Sequence, residues 1–118
     1  MASAARLLTA IVALEHLWFL LLEMFFWTKP LGLRTFRMSR EKAEASAALA
    51  ANQGLYNGFL AAGLAWSLFA APALATPVRA FFLGCVVVAG AFGAATVSRR
   101  IFFVQAVPAL LALVLTLW

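Results

Sequence analysis

In this chain of 118 residues, 66% are hydrophobic and 11% are charged, an apolar share well above that of soluble domains. A chain so short cannot build a core large enough to hide that surface from water, which excludes an ordinary soluble domain and makes membrane lipid the expected surroundings. The net charge of +5 comes from nine basic against four acidic residues, but the basic residues fall between apolar runs rather than along a polar stripe, so nucleic acid is not an expected partner.

Four apolar runs of bilayer-spanning length stand out, at roughly residues 5–27, 47–71, 77–97 and 101–118. Backbone polar groups find no water in lipid, so such runs are helices or barrel strands, and their length and leucine and alanine content favour helices. The expected fold is all-α: one domain, residues 1–118, forming an integral membrane four-helix antiparallel bundle of up-down-up-down order. The first run begins like a signal peptide, with Arg6 before an apolar stretch. Its apolar character continues to Trp27 and no small-x-small site follows, so it reads as a retained span.

The first connection, "TKPLGLRTFRMSREKAEASA", is the only sizeable hydrophilic segment. Lys29-Pro30 and Gly32 end the first helix there. Ser39 is placed to cap a second helix with Glu41 in its first turn. Arg37 with Glu41 and Arg40 with Glu44 are spaced four apart, which suits an amphipathic start outside the hydrocarbon. Next comes "APALATP", where Thr76-Pro77 reads as an N-cap followed by proline at the first helical position. "VSRR" makes the last connection. The third run carries the single cysteine, Cys85, in "FFLGCVVVAG", which has no partner for an internal disulfide and reads as a packing residue.

Loop cations orient the chain. Lys29, Arg34, Arg37, Arg40, Lys42, Arg99 and Arg100 gather on one side, with Arg6 and Arg79 on the other. By the positive-inside rule both termini face away from the cytoplasm.

Chemistry concentrates in two stretches. In "ALEHLWFLLLEMFFW", Glu15, His16 and Glu23 fall within about 100° of one another on a helix, with Leu7, Leu14, Leu17, Leu21 and Phe25 on the far side. Keeping a charge at mid-bilayer costs about 2.5–3.5 kcal/mol, and holding a glutamate neutral at pH 7 from an ordinary pKa of about 4.3 costs about 3.7 kcal/mol. His16 and Glu23 share a face but lie about 10.5 Å apart along the axis, so each needs a partner from elsewhere. "LAANQGLYNGFLAAGL" offers Asn52, Gln53, Tyr56 and Asn57 along one face, beside a Gly54-xxx-Gly58 pair that lets backbones approach closely. Glu23 is expected level with Asn52 and Gln53, and Asn57 nearer to Glu15 and His16. Gln105 lies one turn before Pro108 in the last run. A single polar cavity would account for all of these residues. Gly84, Ala89, Gly90, Gly93 and Ala94 read as packing positions, Trp27, Trp66 and Trp118 as interface anchors, and Trp18 as lipid-facing. With one histidine and one cysteine, no metal site is expected, and no cofactor motif is evident.

"VALEHLWFLLLEMFFW", "LAANQGLYNGFLAAGL" and "GAATVSRRIFFVQAVPALLAL" resemble the bacterial integral membrane family known as domain of unknown function 1304, over nearly the whole chain. The resemblance implies a small four-helix membrane protein and puts Glu15, His16, Glu23, Asn52, Gln53, Tyr56, Asn57 and Gln105 in the characteristic motifs. It implies no activity. Similar sequences often carry tyrosine at the position of Phe92, so a hydroxyl is absent here.

Three functions compete. In the first, the cavity takes a small lipophilic molecule from the membrane, with Glu15 as acid, His16 as base or orienting group, and Glu23, Asn52, Gln53, Tyr56, Asn57 and Gln105 binding it. In the second, the chain is a proton-coupled transporter similar to small multidrug exporters, which carry one glutamate in their first helix. Those form dimers of weakly biased orientation, whereas seven cations against two fix a topology. In the third, the chain is an accessory subunit docking on a partner helix. A homo-oligomer is compatible with each.

Overall fold

The computed structural model describes residues 2–118, and all the regular structure among them is helical. Five helices follow in order: α1 (Ala2–Met24), α2 (Pro30–Thr35), α3 (Arg40–Phe69), α4 (Pro72–Thr96) and α5 (Arg99–Leu117). α1, α4 and α5, of 23, 25 and 19 residues, are each long and apolar enough to cross a membrane. α3 is longest at 30 residues, yet it falls short in composition. Arg40, Glu41, Lys42 and Glu44 charge its start, and Asn52, Gln53 and Asn57 dilute the apolar stretch that follows.

The ends of the helices follow from local chemistry. Ser39 caps α3: the Lys42 N–H donates to its hydroxyl at 3.1 Å and the Ala43 N–H to its carbonyl at 3.0 Å. α4 begins at Pro72, not at Thr76-Pro77, and Pro77 lies inside the helix. Pro72 satisfies the same first-position preference as Pro77, and the alanine-rich turn between them favours helix. Pro77 then removes one bond, to the Ala73 carbonyl, without starting anything. α5 contains a wide π turn, Phe102–Ala106. Pro108 offers no N–H to the Val104 carbonyl and its ring crowds that oxygen, and an extra residue in the preceding turn relieves the clash.

The chain divides into two compact units, Met1–Leu14 with Leu60–Trp118, and Glu15–Phe59. In the first, Val12, Ala13, Leu64, Leu83, Val86, Ala109 and Ala112 form a buried core, with Leu8, Leu60, Phe82, Val87 and Leu113 packed around it. α4 and α5 come together at Gly90, where an added Cβ would stand 2.7 Å from the Ala106 Cβ and 2.8 Å from its backbone nitrogen. Only glycine permits that approach.

In the second unit, the end of α1 packs against the middle of α3. A Cβ on Gly54 would lie 2.7 Å from Met24 Cγ and 3.0 Å from Glu23 Cβ, and one on Gly58 would lie 2.6 Å from Leu20 Cδ1. The Gly54-xxx-Gly58 face therefore looks at α1 and lets the two backbones draw close. Past Met24 the chain turns alongside the first turns of α3. The Trp27 indole N–H donates to Ser46 Oγ at 3.1 Å, and the Trp27 ring meets Phe36 with centroids 4.8 Å apart. α2 ends with Arg37 in the left-handed region, at φ 52°, and the Met38 N–H donates back to the Leu33 carbonyl at 3.1 Å, the long bond of a Schellman turn.

Candidate functional site

α1 carries its polar groups inward and its leucines outward, the reverse of a helix in water. His16 is fully buried and Glu15 and Glu23 are half-buried, while Leu7, Leu14, Leu17, Trp18 and Phe25 are exposed. The sequence separated these two sides correctly because a period of 3.6 residues leaves no other face for them.

Glu15 and His16 sit side by side in the chain and meet different surroundings. One carboxyl oxygen of Glu15, Oε1, is buried with no hydrogen-bond partner among the protein atoms. The His16 ring stands edge-on to Phe19, with centroids 5.4 Å apart and planes at 71°. An orphaned buried acceptor costs about 1–3 kcal/mol, so its presence demands a reason.

At the next-to-last residue of α1, Glu23 has a definite partner. The Asn57 side-chain N–H donates to Glu23 Oε1 at 2.5 Å. Glu23 therefore packs beside Gly54, the residue after Gln53, and its carboxyl reaches along α3 to Asn57.

Asn52, Gln53 and Tyr56 lie on an exposed face of α3. Asn52 donates to the Tyr56 hydroxyl at 3.3 Å, one turn along the same helix, and the Tyr56 ring lies 6.1 Å from Phe59. Gln105 belongs to the other compact unit, half-buried in the π turn of α5. The geometry thus joins Glu23 to Asn57 and Asn52 to Tyr56. Among the described residues no three His, Cys, Asp or Glu side chains gather as metal ligands would.

Two residues that entered the sequence reading only as orienting charges take on more here. Arg79 is buried at 7% exposure, and both Arg79 and Arg6 donate to carbonyls in the last turn of α3. The available signal was the lone arginine inside the apolar stretch "ATPVRAFF". Phe92, the position of the absent hydroxyl, is exposed on α4 in a shallow apolar furrow with Phe81, Gly84, Cys85 and Val88.

The family model described as "Protein of unknown function (DUF1304)" matches residues 10–117. The chain belongs to the DUF1304 family. The "Uncharacterized protein YpaA" of Lactococcus lactis subsp. lactis (strain IL1403) is 34% identical over 110 residues, which cover 92% of this chain and 92% of that protein. No solved structure matches. Neither description names a reaction, so the chemistry of this DUF1304 protein rests on its own side chains. The matched stretch includes Glu15, His16, Glu23, Asn57 and Arg79 and leaves Arg6 outside.

Proposed function

We propose that this DUF1304 protein is a single-domain four-helix antiparallel bundle of the bacterial inner membrane, with both termini outside the cytoplasm, that binds a small lipophilic molecule or acts on it by acid and base chemistry. Glu15 serves as the acid and His16 as the base or the group that orients it. Glu23 and Asn57 form a fixed polar wall, and Asn52, Gln53, Tyr56 and Gln105 supply further binding groups. The three helices apolar enough to cross a membrane and the continuity of α1 and α3 through both compact units support the architecture.

The observation that carries the functional reading is the buried, unpartnered Oε1 of Glu15 within a helix fit for a bilayer. Ionisable groups at such positions are expensive and mark function by default. A neutral carboxyl there has a proton to give, and a neighbouring imidazole has a lone pair to take one. Neither group needs a metal or a cofactor for that exchange.

The test is ligand retention. The protein is purified in mild detergent, incubated with a total lipid extract, washed, and its bound molecules identified by mass spectrometry. We expect a discrete molecule on the wild type that is lost from the Glu15→Gln, His16→Ala double variant. Equal retention by the two proteins rejects the site.

One observation favours a second reading. Asn52, Gln53 and Tyr56 present hydrogen-bonding groups on an exposed face of α3, which suits docking to a partner helix in the manner of an accessory subunit. A stoichiometric membrane partner recovered in mild detergent, and lost on Tyr56→Leu with Gln53→Leu, would support it; a partner-free, monodisperse protein would oppose it.

A further inference from the structure

We propose that Arg6 and Arg79 form a binding site for one phosphate-type anion, at the end of the first compact unit where α3 terminates. The site is separate from the glutamates and histidine of the second unit and does not depend on the function assigned to them.

The two guanidiniums converge from different helices on one helix end. Arg6, in the second turn of α1, donates from Nη2 to the Leu68 carbonyl at 3.2 Å. Arg79, at the start of the third turn of α4, donates from Nη2 to the neighbouring Ser67 carbonyl at 3.1 Å. These carbonyls belong to the last turn of α3, which lacks helix donors of its own.

Capping alone does not account for so much charge. A helix C-terminus is equivalent to about half a negative charge, whereas two guanidiniums bring two positive ones. Roughly one and a half positive charges are left over. Along the helices that carry the site the nearest acidic side chain is Glu15, nine residues or about 13.5 Å of helical rise from Arg6. Arg6 is exposed to water but Arg79 is not, and a guanidinium taken out of water is costly without a counter-charge beside it.

Arg79 also has donors to spare. It is 7% exposed, and its Nε is buried without a hydrogen-bond partner. A guanidinium carries five N–H donors in a rigid fork, and that fork matches the paired oxygens of a phosphate. A phosphodiester, with one negative charge, or a phosphate monoester, with about one and a half to two, fits the surplus.

The position in the chain narrows the source. Arg79 stands near the start of a helix apolar enough to cross a membrane, and exposed Trp66 adjoins the Ser67 that Arg79 holds. Tryptophan favours the depth of lipid headgroups, where phosphodiesters are abundant. Free phosphate offers the same oxygens, and the experiment separates the two.

The full-length protein is purified in dodecyl maltoside, stripped of lipid, and given in turn dioleoylphosphatidylglycerol, inorganic phosphate, and dioleoylglycerol, which has the same chains and no phosphate. Native mass spectrometry counts bound lipid, and the thermal midpoint is followed for each probe. We expect one tightly held phosphatidylglycerol and a raised midpoint, no effect of dioleoylglycerol, and an affinity loss of about tenfold or more in Arg6→Gln, which removes one charged donor group. Arg79→Lys, which keeps the charge and loses the fork, should fall between wild type and Arg6→Gln. If inorganic phosphate alone raises the midpoint and Arg6→Gln abolishes that rise, the site holds and its source is soluble. Arg6 is exposed, so this variant stays folded, as its circular dichroism would verify, even if Arg79 tolerates no change. Stabilisation by neither phosphate probe overturns the proposal, as does equal stabilisation by dioleoylglycerol or unchanged affinity in Arg6→Gln.

Discussion

Asn57→Ala probes a polar contact in the second unit that joins two helices. The Asn57 amide lies 2.5 Å from Glu23 Oε1, so truncation leaves a half-buried carboxyl oxygen without its donor. Orphaning a buried acceptor costs about 1–3 kcal/mol. Hydrogen bonds between membrane helices average about 0.6 kcal/mol and reach about 1.7 kcal/mol, which sets the upper end of the range here. We expect a loss of about 1–1.7 kcal/mol, a factor of about 5 to 18 in the folding equilibrium. Glu23→Leu behaves differently: it removes the acceptor together with an acid that is costly to insert, and should be neutral or stabilising. In that background Asn57 has nothing left to satisfy, and its truncation should cost close to nothing. The assay is unfolding in mixed detergent micelles, followed by helical circular dichroism, for the four proteins of the double-mutant cycle. An Asn57→Ala cost that is the same with and without Glu23 would refute the reasoning, because the bond would then contribute nothing of its own.

Two further outcomes follow from the backbone. Gly90→Ala should lower the thermal midpoint, since the new methyl would stand 2.8 Å from the backbone nitrogen of Ala106 and overpacking of about 1–3 kcal/mol outweighs a helix-propensity gain of about 1 kcal/mol. Gly84→Ala, where an added Cβ meets nothing within 4 Å, should show that gain undiminished; equal midpoints for the two variants would contradict the close approach. Arg37→Gly should stabilise the protein by about 1 kcal/mol in the same unfolding assay, because Arg37 sits at φ 52°, a conformation that costs a residue with a side chain about 1–2 kcal/mol and suits glycine. A less stable Arg37→Gly protein would mean that the arginine side chain holds the turn.

Much of the local structure was legible from residue type. Ser39 before a charged turn predicts its own capping bonds, and the spacing of Glu15, His16 and Glu23 against Leu7, Leu14, Leu17 and Phe25 predicts which side of α1 is buried. The start of α4 was misread because Pro72 and Pro77 carry the same signal five residues apart. Run length and composition divide over α3: the four-span pattern counts it as a span, whereas Asn52, Gln53 and Asn57 set its composition apart from that of the three helices long and apolar enough to cross a membrane.

The sequence by itself determined the chemistry available to this DUF1304 protein: an all-helical chain, ionisable groups set inside apolar helices, and a glycine pair spaced for close packing. Periodicity and composition are local, and a single stretch carries them whole. Which side chains meet was decided only by tertiary structure. Asn57 reaches Glu23 because α1 and α3 draw close at Gly54 and Gly58, and Arg6 and Arg79 converge because both reach the last turn of α3. Contacts of that kind depend on where helices stop and how they slide past one another, and shifting a helix by one turn changes every partner while leaving its pattern of residues unaltered.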